Sequence, residues 1–192
     1  MKFIKSQLAG LAIATALLST SGALAQDAAN RLVIELEQGE VVVELLPDVA
    51  PQHVERLKAL AEAGEYDNVA FHRVIEGFMA QTGDVEFGDM EDGFQPQLAG
   101  TGGSDLPDLP AEFSDVPFER GVLGMARSQD PNSANSQFFI MFDEGSFLNG
   151  QYTVVGRVVE GMDYVDAIKR GDQAANGSVS DPDRMISVRV GE

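Results

Sequence analysis

Between residues 31 and 190 the apolar residues come in short runs, most of them closed off by glycine, and few stretches switch to helical spacing. No other feature limits the fold as much. Arg31–Glu37 alternates, with Leu32, Ile34 and Leu36 on one face and Val33, Glu35 and Glu37 on the other. Glu40–Leu46 repeats the alternation with Val41, Val43 and Leu45 inward. Gln38-Gly39 between them predicts a two-residue turn, with Gly39 supplying positive φ, and so a β-hairpin. The runs 69–74, 78–82, 121–126, 137–142, 153–159 and 185–190 are further strand candidates.

Helical spacing appears over Pro51–Gly64, where Val54, Leu57, Leu60 and Ala61 form one stripe, Pro51 suits the first turn and Gly64 the end. A second helix is expected over Asp163–Arg170, with Val165 and Ile168 inward. Many short strands with few helices imply a mainly β domain, a closed barrel or a sandwich. Val85–Leu109 has no usable period, is rich in Gly, Asp and Pro, and reads as a long loop.

The first 25 residues stand outside this domain. Lys2 and Lys5 precede an apolar run from Leu8 to Leu18, and Ala23-Leu24-Ala25 precedes Gln26. A basic start, a short apolar core and an A-x-A site predict a cleaved secretory signal peptide. A membrane anchor is the competing reading, but Thr15, Ser19, Thr20, Ser21 and Gly22 interrupt a stretch already short of the ~20 apolar residues a span needs. The expected organisation is therefore a leader over 1–25 and one domain over 26–192, exported to the periplasm with no span in its mature form. With no legible exposed apolar patch, a monomer is expected.

Composition removes whole classes of chemistry. Thirteen basic against 31 acidic residues give a net charge of −18, which would repel a phosphate backbone and argues against nucleic acid. The acidic surface favours basic or neutral clients. Zero cysteines exclude disulfides, thiolate metal sites and thiol catalysis, and the two histidines, His53 and His72, leave little for a metal centre. Asp84, Glu86, Asp89, Glu91 and Asp92 could attract calcium. They do not follow the EF-hand spacing, and a solvated acidic loop is the simpler reading.

The informative block is Phe71-His72-Arg73-Val74-Ile75-Glu76-Gly77-Phe78-Met79-Ala80-Gln81-Thr82-Gly83-Asp84. It places an arginine and a glutamine on two strands around a turn at Glu76-Gly77. By alternation Phe71 and Arg73 share a face, and His72 points into the barrel in a structural role. Gly121-Val122-Leu123-Gly124-Met125-Ala126-Arg127, Pro131–Ile140 and Phe147–Gly156 follow in order. In order and wording these blocks resemble the cyclophilin family of peptidyl-prolyl cis–trans isomerases in its bacterial form, from about Leu32 to Val190.

That resemblance implies a closed eight-stranded antiparallel β-barrel capped by two α-helices, with a groove on its outer surface. It implies catalytic roles for Arg73, Phe78 and Gln81. Substrate contacts are implied for Met79, Gly100, Ala126, Arg127, Gln137, Phe139, Phe147, Leu148 and Tyr152. It further implies proline-containing polypeptide substrates and no cofactor or metal. Such a set suits the reaction. Rotation about X–Pro breaks amide resonance, and a donor aimed at the prolyl nitrogen acts most strongly when that nitrogen becomes pyramidal. Arg73 is the candidate donor. Phe78, Met79, Phe139 and Leu148 would hold the proline ring, and Gln81 would bind substrate backbone and hold Arg73.

Several positions depart from the family pattern. Glu76 stands where a proline is frequent, Arg127 where an asparagine is, and Tyr152 where a histidine is. At Arg127 the family uses the backbone. Phe147 stands where many eukaryotic members have tryptophan, whose N–H contacts cyclosporin, so weak cyclosporin binding is expected. The competing reading of the chain is a binding module or holdase chaperone that grips proline-containing segments without turnover; it would have little need of Arg73.

Overall fold

A computed structural model describes residues 29–191, and the expected leader lies outside the described residues. The hairpin forms first along the chain, β1 (Arg31–Leu36) against β2 (Gly39–Leu45). Leu36 pairs with Gly39, so the turn is Glu37-Gln38, one residue earlier than expected. Gly39 is required for a second reason as well. A Cβ there would sit 2.5 Å from the ring of Tyr164.

Helix α1 follows (Pro51–Glu62), burying Val54, Leu57, Leu60 and Ala61 as its stripe predicts, and it packs against the last strand. Its N-cap residue, Ala50, offers no side-chain acceptor. Glu112 from a distant loop supplies one instead, accepting from the backbone N–H of Gln52 at 3.1 Å and of His53 at 3.2 Å. The same carboxylate lies 2.7 Å from Nδ1 of the buried His53.

The remaining strands are β3 (Arg73–Ile75), β4 (Met79–Thr82), β5 (Val122–Met125), β6 (Phe138–Met141), β7 (Val154–Glu160) and β8 (Ser187–Val190). A short helix α2 (Met162–Ala167) packs against β2 and ends three residues before the expected limit. All eight strands join one antiparallel sheet in the order β3-β4-β6-β5-β7-β2-β1-β8.

The sheet curls into a half-barrel and does not close as expected, because β3 and β8 remain its two edges. The chain that runs between them carries Gly171, Gly177, Asp181, Pro182 and Asp183, residues poorly suited to a pleated ladder. It makes isolated bonds instead, with Phe71 N–H donating to Asp183 O and Met185 N–H to Val69 O.

Alternation sorts the strand residues into two apolar clusters. Leu32, Ile34, Val41, Val43, Ala80, Leu123, Phe138 and Ile140 fill the concave side together with the helix stripe. Met79, Val122, Phe139, Met141 and Val154 lie on the opposite side, with Phe118 and Leu148 over them. This outer cluster is the floor on which the site is built.

One further expectation fails. Phe71 does not share a face with Arg73; it packs in the inner cluster, because regular strand begins only at Arg73. The 85–109 segment is irregular as expected, apart from isolated bridges at Asp89 and Leu109.

Candidate active site

Strand register assembles the site. Arg73 pairs with Gln81, Gln81 with Phe139, and Phe139 with Gly124, so four consecutive strands set these residues side by side at one level of the outer face. At ~4.8 Å per strand, Arg73 and Phe139 stand about 10 Å apart across the sheet. Gly124 makes room at the end of the row. A Cβ there would meet the Phe139 ring at 2.5 Å and the Phe118 ring at 2.6 Å.

Above this row lies an open cleft of about 420 Å³, lined by Arg73, Phe78, Met79, Gln81, Ala126, Arg127, Phe139, Phe147, Leu148, Gln151 and Tyr152. Ten of the expected site residues line it, and they come from β3, the turn after it, β4, β6 and the segments after β5 and β6, far apart in sequence. Met79 and Phe139 are 1% and 5% exposed and form a rigid floor. Tyr152 meets Phe139 edge-on, centroids 5.9 Å apart, and Phe78 lies 5.4 Å from Phe147. Phe147, on a 3-10 turn (Ser146–Leu148), is 64% exposed and forms a projecting rim without an N–H donor.

Two expected residues sit beside the cleft. Gly100 and Gln137 line an adjoining cavity of about 390 Å³ that shares Gln81, Ala126 and Arg127 with the cleft. Gln137 still joins the hydrogen-bond chain of the site. Arg73 Nη1 donates to Gln81 Oε1 at 3.1 Å, Gln81 Nε2 to Gln137 Oε1 at 3.0 Å, and Gln137 Nε2 to Gly102 O at 2.8 Å. Gly102 is held in turn by the carboxylate of Asp84, which accepts from the backbone N–H groups of Glu86, Phe87, Gly100 and Gly102. Asp84 is fully buried, so it does not belong to a solvated acidic loop as expected. Among the described residues no three His, Cys, Asp or Glu side chains gather to hold a metal ion, and the calcium reading has no cluster to rest on.

Two contributors escaped the sequence. Asn176 accepts from Arg73 Nε through its carbonyl and from Nη2 through its side chain, each at 3.1 Å. Its φ of 55° is left-handed, which an asparagine tolerates better than most residues; that preference for Asn in turns was the available signal. Gln151 accepts from Arg127 through its carbonyl.

Partial burial lowers the Arg73 pKa, yet a guanidinium retains its charge at any working pH. Three of its five N–H groups are engaged, leaving two for a ligand. His72 is 6% exposed and sits under the Gly100 turn, whose Cβ would lie 3.1 Å from its ring, rather than in the inner apolar cluster. Burial pushes its pKa down to about 4, against the pull of Asp84.

Comparison with known proteins agrees with this geometry. The family model described as "Cyclophilin type peptidyl-prolyl cis-trans isomerase/CLD" matches residues 31–190. A protein of Brucella suis named "Probable peptidyl-prolyl cis-trans isomerase" is 59% identical over 99% of this chain and 97% of its own length. Peptidyl-prolyl cis-trans isomerase B of Escherichia coli is 37% identical over 68% of this chain and 79% of its own. Among solved structures, a cyclophilin from Hirschia baltica superposes with a TM-score of 0.71 at 27% identity, covering 89% of this chain and 80% of that one. A Cryptosporidium parvum cyclophilin solved with the dipeptide Ala-Pro gives 0.71 at 26%, covering 84% and 99%. A buried apolar floor, a cationic donor beside it and a family match across the whole sheet lead to one assignment: the chain belongs to the cyclophilin-type peptidyl-prolyl cis-trans isomerase family.

Proposed function

We propose that this protein catalyses cis–trans rotation about X–Pro bonds in folding or unfolded polypeptides, and does so by non-covalent stabilisation of the twisted amide. The supporting observation is the Arg73 guanidinium, fixed on three sides with two N–H groups left over, beside an apolar cleft. The proline ring rests on Met79 and Phe139 between Phe78 and Leu148. As the amide twists, its ~18–20 kcal/mol resonance is lost and the prolyl nitrogen gains a lone pair. A held cation binds that lone pair better than the planar amide, which lowers the barrier without proton transfer. Gln81 and Asn176 hold the guanidinium in place, so little reorganisation accompanies the twist. The reaction asks for no cofactor.

The basic start, apolar core and A-x-A site support export to the periplasm with cleavage after Ala25. The net charge of −18 supports polypeptide rather than nucleic-acid substrates. Among the described residues no helix is long and apolar enough to cross a membrane. Mass spectrometry of the protein from a periplasmic extract tests the export reading; a mature chain starting at Gln26 supports it, and an intact Met1 in the cytosol contradicts it.

The activity is tested by exchange NMR on an Ala-Pro peptide with substoichiometric protein. Accelerated exchange between cis and trans signals is expected. Shifted signals with no acceleration would leave only a proline-binding module.

A further inference from the structure

Charge is distributed unevenly over this molecule. The chain carries −18 overall, yet neither the cleft nor the cavity adjoining it has a single Asp or Glu among its lining residues. Two arginines line the cleft instead. Arg120, Arg157, Arg170, Arg184 and Arg189 form ion pairs with carboxylates, whereas Arg73 and Arg127, the two that line the cleft, form none, as is also true of Arg31 and Arg56 among the described residues.

Arg127 is held entirely by neutral groups. Its Nε and Nη2 donate to Gln151 O at 3.2 and 2.8 Å, and Nη1 donates to Ser128 O at 2.8 Å and Gln129 O at 3.5 Å. The guanidinium also lies over the Tyr152 ring, 4.3 Å from its centroid. These contacts fix its direction and leave its charge uncancelled, with one Nη2 N–H unused. With Gln81 and Ala126 it borders both the cleft and the adjoining cavity, so a chain passing from one to the other runs beside it.

We propose that Arg127 makes this site selective for polypeptide segments with a carboxylate side chain on a residue adjoining the proline. This inference rests on the isomerase reading above and names the substrate class of the same cleft. The acidic surface governs approach only, because its field is damped over ~8 Å at physiological salt. Seating is decided at contact, where a guanidinium of fixed orientation meets a carboxylate through charge-assisted hydrogen bonds.

The test compares Ala-Glu-Pro-Phe with Ala-Gln-Pro-Phe, and Ala-Pro-Glu-Phe with Ala-Pro-Gln-Phe, by exchange NMR. Glu and Gln have the same shape, so their ratio isolates charge. In at least one pair the parent protein is expected to favour Glu about fivefold in kcat/KM at physiological salt, as a charge-assisted contact allows. That ratio should fall towards one at 1 M salt, where the screening length is ~3 Å. It should also fall to one in Arg127→Gln, whatever the absolute rate, and stay above one in Arg127→Lys. Equal rates for Glu and Gln in both pairs, or a preference that survives in Arg127→Gln, would overturn the inference and leave the isomerase reading intact. Failure to accelerate any of the four peptides would overturn both.

Discussion

Arg73 and Asn176 meet twice, the arginine Nε donating to the asparagine carbonyl and Nη2 to its side-chain oxygen, each at 3.1 Å. The loop that carries Asn176 also grips the backbone on both sides of Arg73. Val74 N–H donates to Gly177 O and Val179 N–H to His72 O. One loop therefore sets both the height of the arginine on its strand and the direction of its guanidinium.

Asn176→Gly keeps the left-handed backbone and the carbonyl contact while deleting the side-chain bond. A hydrogen bond to a charged group is worth about 1.5–3 kcal/mol, so kcat/KM should fall roughly tenfold with little change in Tm. Asn176→Asp retains an acceptor and should stay near the parent rate. In an Arg73→Ala background Asn176→Gly should have no further effect; an equal loss there would show that the asparagine does not act through the arginine.

Glu112 caps α1 from outside the helix, accepting from two of its first N–H groups and from the Gln52 side chain. Glu112→Ala should cost about 1–2 kcal/mol, seen as a drop of several degrees in Tm by calorimetry. The hydrogen bonds from His53 and Gln52 hold its pKa below the usual carboxylate value despite burial. A depressed carboxylate contributes stability above its unfolded pKa and loses it as pH falls through the folded one. The Glu112→Ala deficit should therefore shrink below about pH 4 and be complete at neutrality.

His72 contributes in a higher pH window. Burial lowers its pKa from 6.5 to about 4, so the folded protein keeps it neutral while the unfolded chain takes up a proton. Stability is lost as pH falls from about 6.5 towards 4, by up to roughly 3 kcal/mol. Urea unfolding of the parent at pH 7 and pH 5 should show a drop that is smaller in His72→Gln. Identical drops would show that His72 is already satisfied as a cation.

Much of this was legible in advance, for definable reasons. A strand with regular alternation, such as Gly39–Leu45, declares its buried face through a period of two, whereas in Arg31–Leu36 Val33 on the other face is buried as well. The turn at Glu76-Gly77 was fixed by a glycine at φ 69°. Long-range partners were not legible. Nothing local tells Glu112 that it will cap a helix sixty residues upstream, or Asn176 that it will hold Arg73. Asp84 looked like one more surface acid beside Glu86 and Asp89, because burial by four converging backbone N–H groups leaves no mark on sequence. Barrel closure was over-read, since Pro182 and the glycines between α2 and β8 leave the last edge irregular.

The central claim is that a held guanidinium steadies the twisted prolyl amide. The most direct measurement is kcat/KM for an Ala-Pro peptide in the parent, Arg73→Lys and Arg73→Ala, with peptide affinity measured alongside. A loss of two or more orders of magnitude in Arg73→Ala is predicted, in line with removal of one preorganised donor, with affinity changed far less. Arg73→Lys should recover little, because an ammonium cannot hold the Gln81 and Asn176 contacts together. A parent rate retained in Arg73→Ala, with the cleft still binding peptide, would contradict the account.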